Sequence, residues 1–236
     1  MCITYANRYF SNLLDLFYPN PCLVCQSALQ PMEEQICTHC RFKLPETKLH
    51  QRDAEPEIGS RFAGRIRIEF VYPYLYYAKQ GSVQRIIRSL KYKGNKEVGR
   101  VMGRWYGYQL ENEVQLSRQI DLITSVPLHP SRKRKRGYNQ SDWFGRGLSD
   151  ELNVRFEPDI LKRNRNTITQ TGKNRFDRWQ NVGEVFSVRE PETIKEKRIA
   201  LVDDVLTTGA TLEACASALL LAGCQSVGVI TIAATR

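Results

Sequence analysis

Two adjacent carboxylates and a threonine-rich turn follow an apolar run near the C-terminal end of the chain. The stretch ALVDDVLTTGAT places Asp203 and Asp204 directly after that run. In an open parallel sheet, ligands bind beyond the carboxyl ends of the strands. A helix that starts there offers free backbone N–H groups and a positive dipole end, which favour an anion. The predicted anion loop consists of Thr207, Thr208, Gly209, Ala210 and Thr211.

The acid pair narrows the class of ligand. Two carboxylates repel a phosphate, but they accept hydrogen bonds from sugar hydroxyls or hold a divalent metal. Together with an anion loop they predict a sugar phosphate, with its hydroxyls on the acids and its phosphate at the helix. An ordinary capped helix after a buried strand is the alternative. The sequence has neither GxGxxG nor GxxxxGK[ST], which argues against a dinucleotide site and a P-loop.

Four cysteines near the N-terminus form two CxxC pairs that are separated by eleven residues. In a cytosolic chain this spacing predicts a structural four-thiolate zinc site. A pair of disulfides would need an oxidising compartment, and a redox CxxC is usually single and opens a helix after a strand. The predicted zinc ligands are Cys22, Cys25, Cys37 and Cys40.

The chain is strongly basic, with a net charge of +10 over 236 residues. This charge predicts a polyanionic partner such as nucleic acid, a phosphate-rich ligand or an anionic membrane. The densest basic run is Arg132, Lys133, Arg134, Lys135 and Arg136. We interpret the run as a site for single-stranded nucleic acid, with a solvated basic surface as the alternative. No apolar stretch approaches the ~20 residues of a membrane span, and no signal peptide is recognisable, so we predict a cytoplasmic protein.

Apolar strands alternate with amphipathic helices after the cysteines, which predicts an α/β fold with a parallel sheet. We expect a zinc-binding module over residues 1–49, a polar linker over 50–64 and an α/β domain over 65–236. The predicted strands are Ile68–Ala78, Asp121–Val126, Arg198–Val202 and Ser226–Ala234. The predicted helices are Gly81–Lys93, Asn95–Glu111, Ser141–Leu152 and Thr211–Ala222, and the basic run lies on a loop between elements.

The stretch VDDVLTTGAT closely resembles the 5-phosphoribosyl-1-pyrophosphate (PRPP) motif of type I phosphoribosyltransferases. The resemblance implies that Asp203 and Asp204 engage the ribose hydroxyls with Mg²⁺ nearby, and that the anion loop binds the 5′-phosphate. SVPLHPSRKRKRGYNQ is similar to the pyrophosphate loop of glutamine-dependent amidophosphoribosyltransferases, which assigns that role to Pro127, Arg132 and Arg136. The family has a flexible loop at the position of the stretch LKRNRNTITQTGKNRFDRWQNV. The resemblance implies that Gln170, Thr171 and Arg175 are the functional residues of this loop.

The whole chain resembles the ComF family, which joins a four-cysteine zinc module to a phosphoribosyltransferase-type domain. The resemblance rests on five motifs between residues 22 and 211. They are the double CxxC, LKYKGN, VPLHPSRKRKRGYNQS, QTGKNR and VDDVLTTGAT. It implies a bacterial cytosolic protein that acts in DNA uptake and natural transformation, with structural Zn²⁺ and with Mg²⁺ accompanying PRPP. The sequence names no protein partner.

Two function classes stay open. The chain is either a PRPP-binding protein that also binds single-stranded DNA, or an active transferase that moves phosphoribose from PRPP to a base or amine. A transferase needs a segment that recognises its acceptor. The chain ends soon after the last predicted strand, so we expect none beyond it, and the segment before Lys93 shows no obvious base-reading group. We therefore favour the binding protein.

Overall fold

The computed structural model describes residues 20–51, 56–164 and 185–236. Its contacts divide the chain into two compact units, Met1–Leu44 and Pro45–Arg236. We call them the cysteine unit and the sheet unit. The division falls a few residues before position 49, where the sequence predicted the end of the zinc module. The bounds of the predicted linker, 50–64, stay a prediction, although Ile58 and Phe62 within it are buried.

In the described part of the cysteine unit, a short turn precedes one helix. Pro21 and Ala28 form an antiparallel bridge around the first CxxC pair. The backbone N–H of Leu23 donates to the carbonyl of Gln35, which ties the two CxxC segments together. Helix α1, Thr38–Phe42, begins within the second pair. The two cysteine pairs are thus brought together by local backbone hydrogen bonds.

The sheet unit alternates strands and helices along the described chain. Its helices are α2 Pro56–Gly59, α3 Ser82–Tyr92, α4 Glu97–Val114, α5 Pro130–Arg136, α6 Gln140–Leu152 and α7 Ala210–Leu221. Its strands are β1 Val71–Tyr76, β2 Leu122–Ser125, β3 Leu161–Arg163, β4 Phe186–Val188, β5 Arg198–Leu206 and β6 Ser226–Ala234. No described helix is both long and apolar enough to cross a membrane.

Four strands form one sheet in the order β1-β6-β5-β2, and every neighbouring pair is parallel. β3 and β4 form a separate antiparallel hairpin. The central strands β5 and β6 are apolar along most of their length, as expected for a sheet that is covered on both faces. The predicted α/β class is confirmed. All four carboxyl ends lie at one edge, which positions the acid pair and the segment after β2 together.

Helices α4 and α6 pack closely against each other because glycines line their contact. A Cβ atom on Gly147 would lie 2.1 Å from the carbonyl oxygen of Arg100, and one on Gly103 would lie 2.3 Å from that of Phe144. Both distances are shorter than any real side chain allows. This packing fixes α6, whose first turn reaches the end of β5.

Two of the differences from the sequence-based expectation bear on the site. β5 continues to Leu206 instead of ending at Val202, because its backbone still pairs with β6 up to Leu206 and Ala234. The change from apolar to acidic residues marks the loss of burial, not the loss of pairing. The basic run was expected on a loop but forms helix α5, with Pro130 in its first turn and Gly137 closing it at φ 76°.

Candidate functional site

The acid pair extends beyond the edge strand of the sheet. Ser125, the last residue of β2, pairs with Val202, whereas Asp203 pairs with Thr231 of β6. β5 therefore continues past β2 and carries its two carboxylates into the space that β2 no longer fills. The sequence placed the two carboxylates directly after the strand, whereas the structure has them among its last four residues, past the end of β2.

Asp203 is held from two directions. The hydroxyl of Ser141, in the first turn of α6, donates to its Oδ1 at 2.9 Å. The backbone N–H of Asp204 donates to the same oxygen at 2.8 Å. Burial, followed by repulsion from the neighbouring carboxylate, raises the pKa of Asp203 to about 7. A divalent cation at this position would remove that repulsion.

Asp204 forms a salt bridge with Lys91 of α3. The ammonium lies 2.8 Å from Oδ2 and 3.0 Å from Oδ1 of the carboxylate. The side chains are 23% and 14% exposed, so solvent screens this pair less than a surface pair. The site thus holds two carboxylates, of which Asp204 contacts a cation, so a further positive ligand could still be bound.

The anion loop turns sharply into α7. Gly209 has φ 81°, a conformation that L side chains rarely adopt, and a Cβ there would lie 3.1 Å from the Phe62 ring. Thr207, Thr208, Ala210 and Thr211 are all exposed. Because α7 starts at Ala210, its first amides have no partner within the helix and face the same opening. An anion at this turn would meet these exposed hydroxyls and the first amides of α7, and the anion loop stays a prediction.

Arg61 anchors this loop from a distant part of the chain. Its guanidinium donates to the carbonyls of Thr207 and Thr235, each at 2.5 Å. It also reaches the carbonyl of Leu206 at 3.3 Å. One side chain thus joins the ends of β5 and β6 and fixes the start of the loop.

The segment after β2 is held by a compact polar cluster. Asp142 accepts from the hydroxyl of Ser125 at 2.6 Å and from the side-chain amide of Asn139 at 2.7 Å. The same amide donates to the carbonyl of Val126 at 3.0 Å. Burial raises the pKa of Asp142, and the two hydrogen bonds oppose that change. The cluster ties the end of β2 to the start of α6.

Helix α5 distributes the basic run over two cavities. The acid-side cavity, of about 430 Å³, is lined by Lys91, Tyr92, Gly94, Arg132, Lys135, Arg136 and Tyr138. The hairpin-side cavity, of about 720 Å³, includes Lys133 and Arg134 of α5 together with residues of the β3–β4 hairpin. Pro127 lines the hairpin-side cavity, so the structure does not bring it into the same cavity as Arg132 and Arg136.

The aromatic residues near the basic run are mostly part of the core. Phe144 is fully buried and Tyr138 is 7% exposed, with its hydroxyl donating to the carbonyl of Leu90. Trp143 is only partly covered, and the Lys96 ammonium lies 5.5 Å from its ring centroid. Of the three aromatics, Trp143 alone keeps an accessible face for stacking.

The residues predicted to form the flexible loop are Gln170, Thr171 and Arg175. They lie outside the described residues, so their role stays a prediction.

The four predicted zinc ligands lie together. The sulfur atoms of Cys22, Cys25, Cys37 and Cys40 are all within 4.8 Å of one another, and Cys25 and Cys37 are 3.7 Å apart. Backbone N–H groups of Val24 and Cys37 donate to the sulfur of Cys22. Tetrahedral zinc with bonds of ~2.3 Å places sulfur atoms roughly 3.8 Å apart. The four sulfur atoms are therefore close enough together to hold a divalent metal.

The thiols differ in how readily they ionise. Hydrogen bonds from Ser27 lower the pKa of Cys25 to about 6. Burial and the neighbouring sulfurs raise the pKa of Cys40 to about 12. Four thiolates this close together would repel one another, and a bound divalent metal would supply the positive charge that offsets the repulsion.

Sequence reasoning missed three of the residues that build the candidate site. Lys91 lies in LKYKGN, a stretch that the family resemblance marked without giving it a role. Ser141 lies at the start of a predicted helix, where a serine hydroxyl is usually interpreted as a helix cap. Arg61 lies in the predicted linker, and no local pattern distinguishes it there.

The chain is similar to solved phosphoribosyltransferase structures. It is 21% identical to the Bacillus subtilis glutamine PRPP amidotransferase complexed with ADP and GMP, covering 61% of this chain and 30% of that one, with a TM-score of 0.44. It is 13% identical to adenine phosphoribosyltransferase from Leishmania tarentolae, covering 81% and 94%, with a TM-score of 0.39. With scores below 0.5, the family assignment rests on the sequence matches.

Curated relatives are named for competence and DNA utilization. Competence protein F of Haemophilus influenzae is 33% identical, and the match covers 61% of this chain and 64% of the relative. DNA utilization protein YhgH of Escherichia coli is 32% identical, over 61% and 63%. Competence protein ComFC of Streptococcus pneumoniae is 24% identical, over 94% and 92%. The match therefore spans less than two thirds of the first two relatives.

A family model described as phosphoribosyl transferase domain matches residues 113–236, which include the acid pair, the anion loop and the basic helix. The chain therefore belongs to the phosphoribosyl transferase domain family and, with its competence and DNA utilization relatives, to the ComF family.

Proposed function

We propose that this protein binds PRPP together with Mg²⁺ and also binds single-stranded DNA, and that it acts in DNA uptake. The observation that carries the proposal is the geometry at the end of β5. There Asp203 and Asp204 precede a left-handed Gly209 and the first amides of α7. This arrangement joins acceptors for sugar hydroxyls to donors for a phosphate. PRPP presents both groups on one molecule.

Different groups of the protein bind the ribose hydroxyls and the phosphates of PRPP. The acid pair accepts hydrogen bonds from the ribose hydroxyls, while the exposed hydroxyls and amides from Thr207 to Thr211 receive the 5′-phosphate. Arg132 and Arg136 line the acid-side cavity next to Lys91, which supports a role in holding the pyrophosphate. Lys91 already contacts Asp204 and reaches the same space from α3.

The residues at the site fit Mg²⁺. Mg²⁺ in nucleotide and phosphate sites is usually held by one or two carboxylates plus ligand oxygens and water. Asp203 and Asp204 supply two carboxylates, and burial followed by repulsion from Asp204 raises the pKa of Asp203. The cation would neutralise the charge of the pyrophosphate next to the acids.

The four cysteines fit structural Zn²⁺. Their sulfur atoms all lie within 4.8 Å of one another, and a four-thiolate shell is the usual closed structural site. Such a site needs reduced thiols, which supports the cytoplasmic location predicted from the sequence.

Three observations support the DNA part of the proposal. The net charge is +10, the basic helix α5 lies at the ligand edge of the sheet, and two relatives are named for competence or DNA utilization. The phosphates of a DNA strand and a pyrophosphate are bound by similar hydrogen-bond donors.

Calorimetry with PRPP, in the presence and absence of Mg²⁺, tests the sugar-phosphate part. We expect binding that depends on Mg²⁺ and that is weakened at least tenfold in Asp203→Asn/Asp204→Asn, since each lost hydrogen bond to a charged group costs roughly 1–3 kcal/mol. Asp121→Asn is the matched control. Its carboxylate contacts Arg198 at the opposite end of β5, and its loss should leave PRPP affinity unchanged.

Two results would contradict this part of the proposal. The first is that the wild-type protein does not bind PRPP at millimolar concentration in the presence of Mg²⁺. The other is equal loss of affinity in the control and in the double variant, which would show that the acids act through stability alone.

An active phosphoribosyltransferase is the second candidate, favoured by the match to the phosphoribosyl transferase domain. The two candidates differ in one measurable product, because transfer of phosphoribose releases pyrophosphate. Incubating the protein with PRPP, Mg²⁺ and a panel of bases and amines, and measuring pyrophosphate, decides between them. Release that depends on one acceptor and is lost in Asp203→Asn/Asp204→Asn would establish the transferase.

A further inference from the structure

The five cations of α5 do not form one continuous track. Consecutive residues of a helix are rotated by about 100°, so positions i, i+3 and i+4 share a face. Arg132, Lys135 and Arg136 are such a set, and they line the acid-side cavity with Lys91. Lys133 and Arg134 point the other way, into the hairpin-side cavity. The helix thus separates the basic run into two anion-binding faces.

The hairpin-side cavity gathers cations from three parts of the chain. They are Lys133, Arg134, Lys162, Arg163 and Arg189. Two carboxylates also line the cavity. Asp159 is 4.0 Å from Arg189, and Asp142 is occupied by hydrogen bonds from Ser125 and Asn139. The cations therefore exceed the acids.

Three of these cations are exposed, although the charge of Lys133 also acts on the Asp142 carboxylate in the same cavity. Lys133, Arg134 and Lys162 are exposed and form no salt bridge with any residue that the structure describes. They come from α5 and from β3, which are separate elements, so their convergence is a property of the fold and not of the sequence run. A phosphate chain lying between the two elements would contact all three.

An aromatic cavity continues from the same place. Asp142 lines both the hairpin-side cavity and a third cavity of about 540 Å³. The third cavity includes Trp143, Phe156 and Arg146, and the Arg146 guanidinium lies 5.6 Å from the Phe156 ring centroid. Proteins bind single-stranded nucleic acid with basic side chains along its phosphate backbone and with aromatic side chains on which its bases stack.

We infer that single-stranded DNA binds along these two cavities, from Lys133, Arg134 and Lys162 to Trp143, on the opposite face of α5 from the PRPP site. This inference rests on the proposed DNA binding and assigns it a location. One face of α5 serves the phosphates of PRPP and the other serves DNA. Both ligands then bind at the same time, and α5 is the element that they share.

A pair of charge-matched triple variants tests the location. The groove variant is Lys133→Ala/Arg134→Ala/Lys162→Ala, and the acid-side variant is Arg132→Ala/Lys135→Ala/Arg136→Ala. Each removes three exposed or partly exposed cations, so both change the net charge equally. Binding of a fluorescent oligodeoxythymidine is measured by anisotropy at several salt concentrations, and PRPP binding by calorimetry with Mg²⁺.

We expect the groove variant to flatten the slope of log K against log salt by about two units, because each single-strand phosphate contact contributes about −0.7. Its PRPP affinity should be unchanged. The acid-side variant should show the reverse, with weakened PRPP binding and a DNA slope close to that of the wild type. Saturating PRPP should leave the DNA affinity of the wild-type protein unchanged.

Trp143→Leu tests the aromatic cavity. Stacking contributes roughly 1–3 kcal/mol per base and does not depend on salt. The variant should therefore lower DNA affinity at least fivefold at every salt concentration with the slope unchanged, in protein whose thermal unfolding confirms that it is folded. An unchanged affinity in such folded protein overturns the extension of the site to this cavity.

The outcomes separate this inference from the proposed function. If both triple variants flatten the slope equally, or the acid-side variant does so more, the inferred location is wrong while DNA binding stands. Displacement of DNA by PRPP would likewise show one shared site. If the wild-type protein binds no oligodeoxythymidine at low salt, the proposed DNA binding itself is wrong.

Discussion

The cysteine unit and the sheet unit are built on different physical principles. The described part of the cysteine unit buries few side chains, mainly Cys22, Ile36, Cys40 and Leu44, and leaves Met32 and Phe42 99% and 85% exposed. In the sheet unit, β5, β6 and α7 contribute to one continuous apolar cluster. A unit of the first size rarely folds by apolar burial alone and usually needs a metal or disulfides.

This difference shows where each unit obtains its order. The cysteine unit has four clustered sulfur atoms that could bind a metal, and under the proposed zinc assignment that metal supplies its stability. The sheet unit draws its stability from apolar packing, so it tolerates polar and charged groups at one edge. That edge carries the acid pair, the anion loop and helix α5. Perturbations of metal, packing and edge charge should therefore affect the two units differently.

Removal of the metal should have the largest effect. A strong zinc chelator, or Cys22→Ser, should unfold the cysteine unit, because metal binding supplies on the order of 10 kcal/mol to such modules. The sheet unit should keep its own unfolding transition. Elemental analysis gives the metal content, and limited proteolysis with mass spectrometry should show new cleavage confined to the cysteine unit.

Cys215→Ser is the matched control for that experiment. Cys215 is fully buried in α7, so the change should lower the stability of the sheet unit and leave the zinc content at about one per chain. Freshly prepared, reduced protein without metal would contradict the zinc assignment.

Gly147→Ala should have the next largest effect and should act on the sheet unit alone. Alanine favours a helix over glycine by about 1 kcal/mol. Here its Cβ would lie 2.1 Å from the Arg100 carbonyl, so α6 must move away from α4. We expect a net loss of about 2–4 kcal/mol in the free energy of unfolding, measured by urea denaturation.

Gly81→Ala provides the comparison for Gly147→Ala. A Cβ at Gly81 meets no atom closer than 3.5 Å, so this change should cost less than about 1 kcal/mol. Equal stability of the two variants would show that the close approach of α4 and α6 is not needed for the fold.

The smallest effect concerns two carboxylates at opposite ends of β5. The pKa of Asp203 is raised to about 7, so the folded state holds a proton that the unfolded state releases near pH 4, and stability falls as pH rises from about 4 to 7. Asp203→Asn removes this penalty. We expect it to raise the free energy of unfolding at pH 8 by about 1–2 kcal/mol and to change little at pH 4.

Asp121 should respond with the opposite sign. Hydrogen bonds and charge attraction from Arg198 lower its pKa to about 2. Its contribution is therefore present above about pH 4 and is lost as pH falls towards 2. Because the pair is more than a third exposed, Asp121→Asn should cost less than about 1 kcal/mol at pH 7. Urea denaturation from pH 4 to 8 measures both variants, and the same sign for both at pH 8 would contradict the comparison.

The anion loop and the cysteine cluster illustrate what could be predicted from the sequence. In both, the residues that act together lie within about twenty positions, and their backbone is organised by local rules. A CxxC turn presents two sulfurs on one side, and a strand followed by Thr-Thr-Gly opens a helix. The helix in the basic run escaped prediction because its charged residues have no apolar stripe to mark a period.

The sequence by itself determined the parallel α/β class, the four clustered cysteines, and the acid pair that leads into a glycine turn before a helix. The tertiary structure decided which distant residues complete that site. Lys91 meets Asp204 and Arg61 holds the carbonyl of Thr207 only because sheet order and helix packing bring them there. It also decided that α5 turns its cations to two sides. These contacts join residues more than a hundred positions apart, or depend on which face a helix presents, and no local spacing encodes either.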